Sequence, residues 1–358
     1  MKIMFVTVGM SFGGAERVMA LLSNYFCVHG YEVTIIAMDD KKQLAYPLND
    51  KVNLRFMQTA CFNKRGSFVS LITTLRSHIR DVRPDIIISF FSSTLFFAAI
   101  ASFGMGIPLV YSERNDPNNN INGFKEKSFQ AFALLMAKHI VFQSTGARNY
   151  YNKRIHKKSS IILNPFDSAN LPNSSAKREK TLVSVGRLAK QKNQLLLIDA
   201  FRIIAERFPE HKLILYGEGP LRQMLQNRID AYGLTARILL PGNIRNVYET
   251  IRDAELFLFS SDFEGLPNAL IEAMALGLPC ISTDCSPGGA RELIEDNVNG
   301  ILVPCGSSEK MAEAIIFLLE HPDRAEEMGK KAKDIIKRLD IQKISAEWNS
   351  VFEQVTSR

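Results

Sequence analysis

The feature that most constrains the fold of this chain is a repeated alternation of short apolar runs with helical stretches. The runs in the first half are KIMFVTV, EVTIIAM, DIIISF, PLVYS and HIVFQS, and those in the second half are TLVSVG, KLILYG, RILLPG, LFLFSS and PCISTD. Unbroken apolar strands between helices are typical of parallel sheets covered on both faces. Two such series in 358 residues therefore predict an α/β protein with two doubly wound domains.

The boundary between the two series is predicted in the polar segment DSANLPNSSAKREK, residues 167–180, which contains proline and serine. We therefore predict one domain over 1–168 and a second over 169–340. Residues 309–358 have helical character, and we expect the last helix, 341–358, to pack back on the first domain.

Charge is unevenly shared between the halves. Residues 1–170 contain 20 Lys/Arg and 11 Asp/Glu, a net charge of +9, whereas the remainder contains 24 and 26, a net charge of −2. A basic face can meet nucleic acid, an anionic membrane or phosphorylated ligands, and charge alone does not choose among them.

Five cysteines without a Cys-x-x-Cys pair indicate neither a disulfide framework nor a zinc site, so we expect a reduced, cytoplasmic protein. The first apolar run lacks a small-residue cleavage site and predicts a buried strand, not a signal peptide. Residues 86–112 carry no charge and are long enough to span a bilayer. Pro84, Gly104 and Pro108 favour a strand, a helix and a second strand in this segment instead.

The loops that follow strands are the candidate ligand sites, because open parallel sheets bind ligands at the carboxyl ends of their strands. After the first strand, Gly13 and Gly14 lead into a helix whose backbone N–H groups can approach an anion. A tight turn without a ligand explains this glycine pair equally well. In VSVGRLAKQKN, Arg187 and Lys192 suit a diphosphate, and a solvated basic loop is the alternative.

Two further loops follow strands of the second series. LYGEGPLR contains Gly217 and Gly219, which an ordinary strand-to-helix turn also explains. EGLPNALIEAM contains Glu264 and Glu272, and its later part predicts a buried helix. We expect Pro267 at the first helical position. We expect the backbone at the helix start to face a ligand. The residues there are Gly265, Leu266, Pro267 and Asn268.

These motifs together resemble a known family. Glu264 and Glu272, with seven residues between them, form the E-x7-E pattern of the retaining glycosyltransferases of family 4, and VGRLAKQKN, GGAERV and NGILVP are similar to segments of the same family. The resemblance spans nearly the whole chain, and it is strongest to bacterial members that extend lipid-linked oligosaccharides for surface polysaccharides or glycoprotein glycans. It implies the GT-B fold, in which two Rossmann-like domains face each other across a cleft. The first domain would bind the acceptor and the second the nucleotide sugar.

The resemblance also implies roles for single residues. Glu264 would accept hydrogen bonds from the donor sugar, Glu272 would bind the ribose hydroxyls, and Arg187 and Lys192 would hold the diphosphate and stabilise its developing charge. The loop around Ile244 would lie near the base. No metal would be needed, the donor would be a UDP-linked N-acetylhexosamine or hexose, and the anomeric configuration would be retained by front-face attack.

In the first domain, the resemblance implies that Gly13 and Gly14 shape the loop facing the donor. Many relatives have a histidine where this chain has Arg114, after Glu113. We expect Glu113 near the acceptor and Arg114 near a donor or acceptor phosphate, and the alternative is a local surface ion pair between the two.

The acceptor is expected to be a polyprenyl-diphosphate-linked or other glycan. We expect the protein to meet it at an anionic membrane surface, and we expect no nucleic-acid partner. Lys64 and Arg65 lie between phenylalanines in FNKRGSF, a combination that suits a membrane interface, although a plain basic loop is an equal alternative. The protein would then sit at the inner face of the cytoplasmic membrane.

Two other functions are compatible with parts of the sequence. A glycine-rich first turn followed by Asp39 and Asp40 has roughly the spacing of a dinucleotide-dependent dehydrogenase, but G-x-G-x-x-G is missing. A non-catalytic protein that binds nucleic acid or membrane through its basic face would leave Glu264 and Glu272 without a shared task. The sequence does not determine the donor sugar, the acceptor, the linkage, the number of sugars added or the oligomeric state.

Overall fold

The structure is a computed structural model that describes residues 1–11, 13–39, 44–57, 67–119, 123–169, 171–172, 178–244 and 246–357. The chain divides into two compact units. Unit 1 contains Met1–Asp167 and Leu339–Arg358, and unit 2 contains Ser168–Arg338. Each unit is built around its own sheet.

The strands of the described residues are β1 (Lys2–Thr7), β2 (Glu32–Ala37), β3 (Asn53–Phe56), β4 (Ile86–Ser89), β5 (Leu109–Ser112), β6 (His139–Phe142), β7 (Ser159–Ile161), β8 (Glu179–Val185), β9 (Lys212–Tyr216), β10 (Ile238–Gly242), β11 (Ala254–Phe259), β12 (Cys280–Thr283) and β13 (Ile301–Val303). Every strand pairing is parallel. The sheet of unit 1 has the order β3-β2-β1-β4-β5-β6-β7, and that of unit 2 has the order β10-β9-β8-β11-β12-β13.

The helices of the described residues are α1 (Gly14–Val28), α2 (Ser67–Val82), α3 (Ser92–Ala101), α4 (Phe124–Met136), α5 (Thr145–Asn149), α6 (Lys153–His156), α7 (Gln194–Ile204), α8 (Arg222–Ala231), α9 (Val247–Ile251), α10 (Asn268–Ala275), α11 (Ser308–Glu320), α12 (Pro322–Ala332), α13 (Ile335–Arg338) and α14 (Ile341–Thr356). A 3-10 turn, Lys190–Lys192, precedes α7.

The prediction of two parallel α/β sheets is confirmed, and each of the ten predicted apolar runs forms a strand. The uncharged segment 86–112 forms β4, α3 and β5, and no helix of the described residues has the length and apolar character needed to cross a bilayer. The predictions missed β3, β7 and β13, which lie at the outer edges of their sheets.

In unit 1 the helices cover both faces of the sheet. Leu75 of α2, Leu95 of α3 and Ala133 of α4 pack with Met4 and Val6 of β1 in one buried cluster. Side chains alternate along a strand, so the neighbouring Phe5 faces the other side. There its ring lies 6.0 Å from that of Phe90.

The C-terminal helix α14 belongs to that second side of unit 1. Trp348 and Phe352 are fully buried, and the Phe352 ring lies 5.0 Å from Phe26 of α1. The backbone N–H of Phe166 donates to the carbonyl of Leu339 at 2.7 Å, which fixes the chain just before the helix. The last helix therefore completes the core of the first unit.

The strand order also identifies where each sheet can bind a ligand. In unit 1, β1 lies between β2 and β4, and in unit 2, β8 lies between β9 and β11. The chain reverses its direction of winding at these positions, which leaves a crevice at the carboxyl ends of the two central strands. In unit 2 the loops after β8 and β11 border this crevice.

Phe352→Ala should lower the free energy of unfolding of unit 1 by about 3–5 kcal/mol, because it removes a fully buried ring between α14 and α1. The only tryptophan, Trp348, lies 6.0 Å from Phe352, so its fluorescence in a urea titration reports the change directly. The exposed Ile203→Ala is the control and should cost less than about 0.5 kcal/mol. An unchanged midpoint for Phe352→Ala would show that α14 contributes nothing to the unit.

Candidate active site

The loops after β8 and β11 are joined by an ion pair. The ammonium of Lys192, at the end of the 3-10 turn, contacts the Glu264 carboxylate Oε2. Both side chains are mostly shielded from solvent, with 22% of Lys192 and 18% of Glu264 exposed. Two of the residues predicted to meet the donor, from loops more than seventy positions apart in sequence, are therefore brought together at the crevice.

Further hydrogen bonds hold the same two loops together. Gln191 Nε2 donates to the carbonyl of Phe263 at 2.9 Å, and Ser260 Oγ donates to the carbonyl of Lys192 at 2.8 Å. The backbone N–H of Asp262 donates to the carbonyl of Gln191 at 2.9 Å. These bonds fix the backbone on either side of the ion pair, so its position does not depend on the two charged side chains alone.

A third loop supports Glu264 from the other side. The backbone N–H of Glu264 donates to the carbonyl of Ser286, in the loop after β12, at 2.9 Å. In the same loop, a Cβ atom on Gly289 would lie only 1.6 Å from the carbonyl oxygen of Gly265. Only glycine permits this approach of the two backbones.

Gly217 and Gly219 allow two loops to pack closely together. A Cβ atom on Gly217 would lie 2.0 Å from the carbonyl oxygen of Gly186, and one on Gly219 would lie 2.3 Å from that of Leu188. The loop after β9 therefore lies directly against the loop that carries Arg187. The two glycines shape the loop that carries Arg187 whether or not they touch a ligand.

Arg187 presents a free cation beside this loop. Its side chain is exposed, and among the described residues no group forms an ion pair or hydrogen bond with its guanidinium. Its backbone carbonyl accepts from Gln194 Nε2 at 2.9 Å, which ties the backbone to the start of α7. The arrangement is a fixed backbone carrying a side chain that can reach an anion.

Glu272 is buried within α10, as the apolar sequence around it predicts, and only 3% of it is exposed. The expectation for Pro267 is wrong by one position, because α10 begins at Asn268 and Pro267 is the residue before it. The Pro267 carbonyl accepts from the backbone N–H groups of Leu270 and Ile271 at 3.1 and 3.2 Å.

The remaining predicted residues of unit 2 lie at the same end of the sheet. Gly265 and Leu266 are buried between Glu264 and the start of α10. Ile244 follows β10 and is half-buried. No three His, Cys, Asp or Glu side chains in the described ranges lie close enough together to hold a metal ion.

In unit 1, the acidic side chain of Glu16 lies at the glycine turn after β1, and the sequence analysis did not predict this. Gly13 precedes α1, and Gly14 is its first residue. A Cβ atom on Gly13 would lie 2.1 Å from Glu16 Oε2, so the Glu16 carboxylate folds back over the helix start. Burial raises the pKa of Glu16. The Ser/Thr-x-x-Glu pattern that signals this fold-back is absent here because the capping position is glycine.

Glu113 and Arg114 point into different surroundings, so the alternative of a local surface ion pair between them is wrong. The buried Glu113 carboxylate accepts from Tyr111 Oη at 2.8 Å and from Gln130 Nε2 at 3.1 Å. Burial raises the pKa of Glu113, and these hydrogen bonds oppose the rise.

Arg114 turns towards the side covered by α14. Its guanidinium lies 4.0 Å from the centre of the Phe90 ring and 5.9 Å from that of Trp348, and Nη1 donates to Asn164 Oδ1 at 2.7 Å. Within the described part of the chain, Nε and Nη2 have no hydrogen-bond partner. Burial lowers the pKa of Arg114 to about 9. Lys64 and Arg65 lie outside the described residues.

Comparisons with known proteins show the family to which the chain belongs. The family described as glycosyl transferases group 1 matches residues 168–335, and Glycosyltransferase Family 4 matches residues 12–170. A Campylobacter jejuni protein named N-acetylgalactosamine-N,N'-diacetylbacillosaminyl-diphospho-undecaprenol 4-alpha-N-acetylgalactosaminyltransferase is 30% identical over 351 residues, which cover 93% of this chain and 94% of the relative.

A second Campylobacter jejuni relative is named GalNAc-alpha-(1->4)-GalNAc-alpha-(1->3)-diNAcBac-PP-undecaprenol alpha-1,4-N-acetyl-D-galactosaminyltransferase. It is 28% identical over 367 residues, with 99% of both chains covered. The crystal structure of Anabaena HepE in complex with UDP superposes with a TM-score of 0.84 at 21% identity, covering 99% of this chain and all of that one. The chain belongs to the family 4 glycosyltransferases and has their GT-B fold of two Rossmann-like domains.

Proposed function

We propose that the protein is a retaining glycosyltransferase that moves an N-acetylhexosamine or hexose from a UDP-sugar to a lipid-linked glycan acceptor during polysaccharide or glycan biosynthesis. The observation that carries this proposal is the meeting of Lys192 and Glu264 at the crevice between β8 and β11, with Arg187 exposed beside them. A nucleotide sugar presents a diphosphate between two polyols, and this site offers two cations and two carboxylates.

The cations fit the diphosphate. Arg187 can bind two phosphate oxygens with its planar guanidinium, and Lys192 supplies a compact, mobile charge. In the proposed complex, Lys192 turns from Glu264 to the diphosphate. The carboxylate is then available to accept hydrogen bonds from the sugar hydroxyls. Since both side chains keep some exposure, 22% and 18%, the exchange needs no opening of the core.

The rest of the donor is assigned to the helix that follows. Glu272 binds the ribose hydroxyls, and the backbone of Gly265, Leu266 and Asn268 faces the sugar and phosphate at the start of α10. Pro267 shapes this turn, and the loop at Ile244 lies near the base. The bound UDP in the HepE crystal structure supports the choice of nucleotide.

The proposed reaction proceeds by front-face attack. The acceptor hydroxyl oxygen forms a bond with C1 of the sugar on the face from which UDP leaves, and its proton passes to the departing phosphate oxygen. Arg187 and Lys192 stabilise the charge that develops on that oxygen, so the step requires no metal. The alpha linkages in the names of both Campylobacter relatives are the products that retention would give from an alpha-linked donor.

Unit 1 is proposed to bind the acceptor. Gly13 and Gly14 form the turn after β1, at the carboxyl end of its sheet. Glu113 and Arg114 follow β5 at the carboxyl end of the sheet, and their buried contacts favour a positioning role beside the acceptor. The excess of cations in the first half of the chain and the undecaprenol-linked substrates named for the relatives support a lipid-linked acceptor at the inner face of the cytoplasmic membrane.

Because the chain belongs to a glycosyltransferase family, the two other functions that the sequence allowed are excluded. The chain is not a dinucleotide-dependent dehydrogenase, and it is not a non-catalytic binding protein.

UDP at 100 times its dissociation constant should stabilise the folded protein by about 2.7 kcal/mol, because it binds only the folded state. We expect Glu272→Gln to abolish most of the resulting rise in the midpoint of thermal unfolding, whereas the exposed Glu206→Gln should not. GDP, ADP and NAD are the ligand controls. A shift with NAD and none with UDP would refute the donor assignment.

Lys192→Gln should reduce kcat for transfer by about 10²–10³-fold, the loss typical when one charge-stabilising donor is removed from an active site. Lys190→Gln is the matched control, since Lys190 is an exposed lysine of the same 3-10 turn. Release of UDP from a panel of UDP-sugars provides the assay. Equal rates for the two variants would show that Lys192 has no special role.

Activity should persist after dialysis against excess EDTA, because Arg187 and Lys192 are proposed to compensate the diphosphate charge. The rate of UDP release before and after chelation is the measurement, and a second sample to which Mg²⁺ is restored is the control. A loss of activity that Mg²⁺ restores would contradict the proposed metal-independent mechanism.

A further inference from the structure

Unit 2 contains a cavity at the amino ends of its strands, at the end of the sheet opposite the crevice that follows β8 and β11. Arg178 directly precedes β8, Glu255 is the second residue of β11, and Pro279 directly precedes β12. The cavity has a volume of about 420 Å³. Small-molecule sites in proteins occupy about 300–1,000 Å³. The fold therefore offers a second place for a ligand, and the proposed reaction makes no use of it.

The inner wall of this cavity is apolar. Leu256 of β11, Leu318 of α11 and Ala325 of α12 line it, and at most 8% of any of the three is exposed. Pro279 completes the wall. Because these side chains offer no hydrogen-bond donor or acceptor, the inner wall suits the hydrocarbon part of a ligand.

Two glycines hold α12 against the turn between α10 and β12. A Cβ atom on Gly329 of α12 would lie 2.3 Å from the carbonyl oxygen of Gly277, so a larger residue would push the helix off the turn. Gly277 has a φ of 74°, in the left-handed region that favours glycine. The aliphatic stem of Lys333 lies across it, because a Cβ atom on Gly277 would be 2.6 Å from Lys333 Cε. Backbone packing therefore fixes these walls of the cavity.

Arg178 brings a positive charge to the outer side of the cavity. Its guanidinium donates to the carbonyl of Arg252 at 2.6 Å through Nη1 and to that of Gly277 at 3.0 Å through Nη2. In the part of the chain that the structure describes, no carboxylate forms an ion pair with it. Burial lowers the pKa of Arg178, and the nearby Asp253 opposes this fall. A half-buried cation held in place by neutral carbonyls can bind an anionic group with a strong, charge-assisted hydrogen bond.

The acidic side chains at the cavity already have partners. Glu326 pairs with Lys330 at 2.6 Å, and Glu255 Oε2 lies 2.9 Å from His211 Nε2. The lining contains three cations, since Lys333 adds to Arg178 and Lys330, and these two acids. The charge of the cavity therefore favours an anionic ligand over a cationic one.

We propose that this cavity binds a small organic anion with an apolar body, such as an aromatic carboxylate. The anionic group lies against Arg178, and the apolar body lies against Leu256, Leu318 and Ala325. The ligand also contacts the turn at Gly277, which follows α10, the helix that carries Glu272. This site goes beyond the proposed function, because the cavity and the proposed donor site lie at opposite ends of one sheet.

Anilinonaphthalene sulfonate is a suitable probe, because it joins a sulfonate to two aromatic groups and its fluorescence reports apolar surroundings. The dye is titrated in the presence of saturating UDP, which keeps it out of the proposed donor site. The competitors are para-butylbenzoate and its cationic counterpart para-butylbenzylamine. Since the two have the same apolar body, a difference between them reports the charge preference of the cavity.

Two variants change the cavity and a third is the control. Arg178→Gln removes the positive charge, and Ala325→Leu fills part of the space at the apolar wall. Arg202→Gln is the control, because Arg202 is an exposed arginine of unit 2 that does not line the cavity. The midpoint of thermal unfolding without dye shows whether each variant is folded, and the UDP-induced shift of that midpoint reports the donor site separately.

We expect Arg178→Gln and Ala325→Leu each to weaken dye binding about tenfold or more. The first loses a hydrogen bond between charged groups, and the second loses room for the apolar body. Arg202→Gln should bind the dye like the wild type. Butylbenzoate should displace the dye at concentrations at which butylbenzylamine does not.

Unchanged dye binding by Ala325→Leu, or by a folded Arg178→Gln, would overturn the proposed site, and so would a wild type that binds no dye. If Arg178→Gln does not fold, Ala325→Leu decides alone. Equal displacement by the two competitors would overturn the assignment to an anion. Dye that binds only in the absence of UDP would lie in the donor crevice and would also overturn it. A missing UDP shift in all four proteins would count against the proposed function and not against this cavity.

Discussion

The ion pair between Lys192 and Glu264 is the interaction on which the functional site depends. It exists because β8 and β11 are neighbours in the sheet although three helices and two strands separate them in sequence. A partly shielded pair of this kind contributes little net stability, because desolvation opposes the Coulomb attraction. Its consequence is geometric: with the bonds from Gln191 and Ser260, it holds two loops at one crevice.

The chemistry follows from that geometry. A cation paired with a carboxylate is stable without a ligand, and a diphosphate offers the cation a stronger partner while the sugar hydroxyls offer donors to the carboxylate. In the proposed complex, the site stays folded when it is empty and exchanges its internal ion pair for contacts with a nucleotide sugar. Gly217 and Gly219 let the loop after β9 approach the loop after β8, and Gly289 lets the loop after β12 approach the loop after β11.

The sequence predicted the buried strands and helices well, because unbroken apolar runs allow few alternatives. It missed β3, β7 and β13. The segments of the first two, NLRF and SSI, are short and partly polar, and all three strands lie at sheet edges, where one side has no partner strand. Residue types and the family resemblance also selected Glu264, Lys192 and Glu272 as candidates, and the structure brings the first two into contact. Contacts between distant segments could not be predicted from the sequence. Examples are the close approach of Gly217 to Gly186 and the different surroundings of Glu113 and Arg114. These depend on strand order and on the packing of α14, which local patterns do not encode.

We propose that the crevice between β8 and β11 binds the nucleotide sugar. A crystal structure of the protein soaked with UDP tests it most directly. We expect diphosphate density within hydrogen-bonding distance of Arg187 and Lys192, with the ribose hydroxyls on Glu272 and the original contact between Lys192 and Glu264 broken. A nucleotide bound away from these residues, with that ion pair intact, would contradict it.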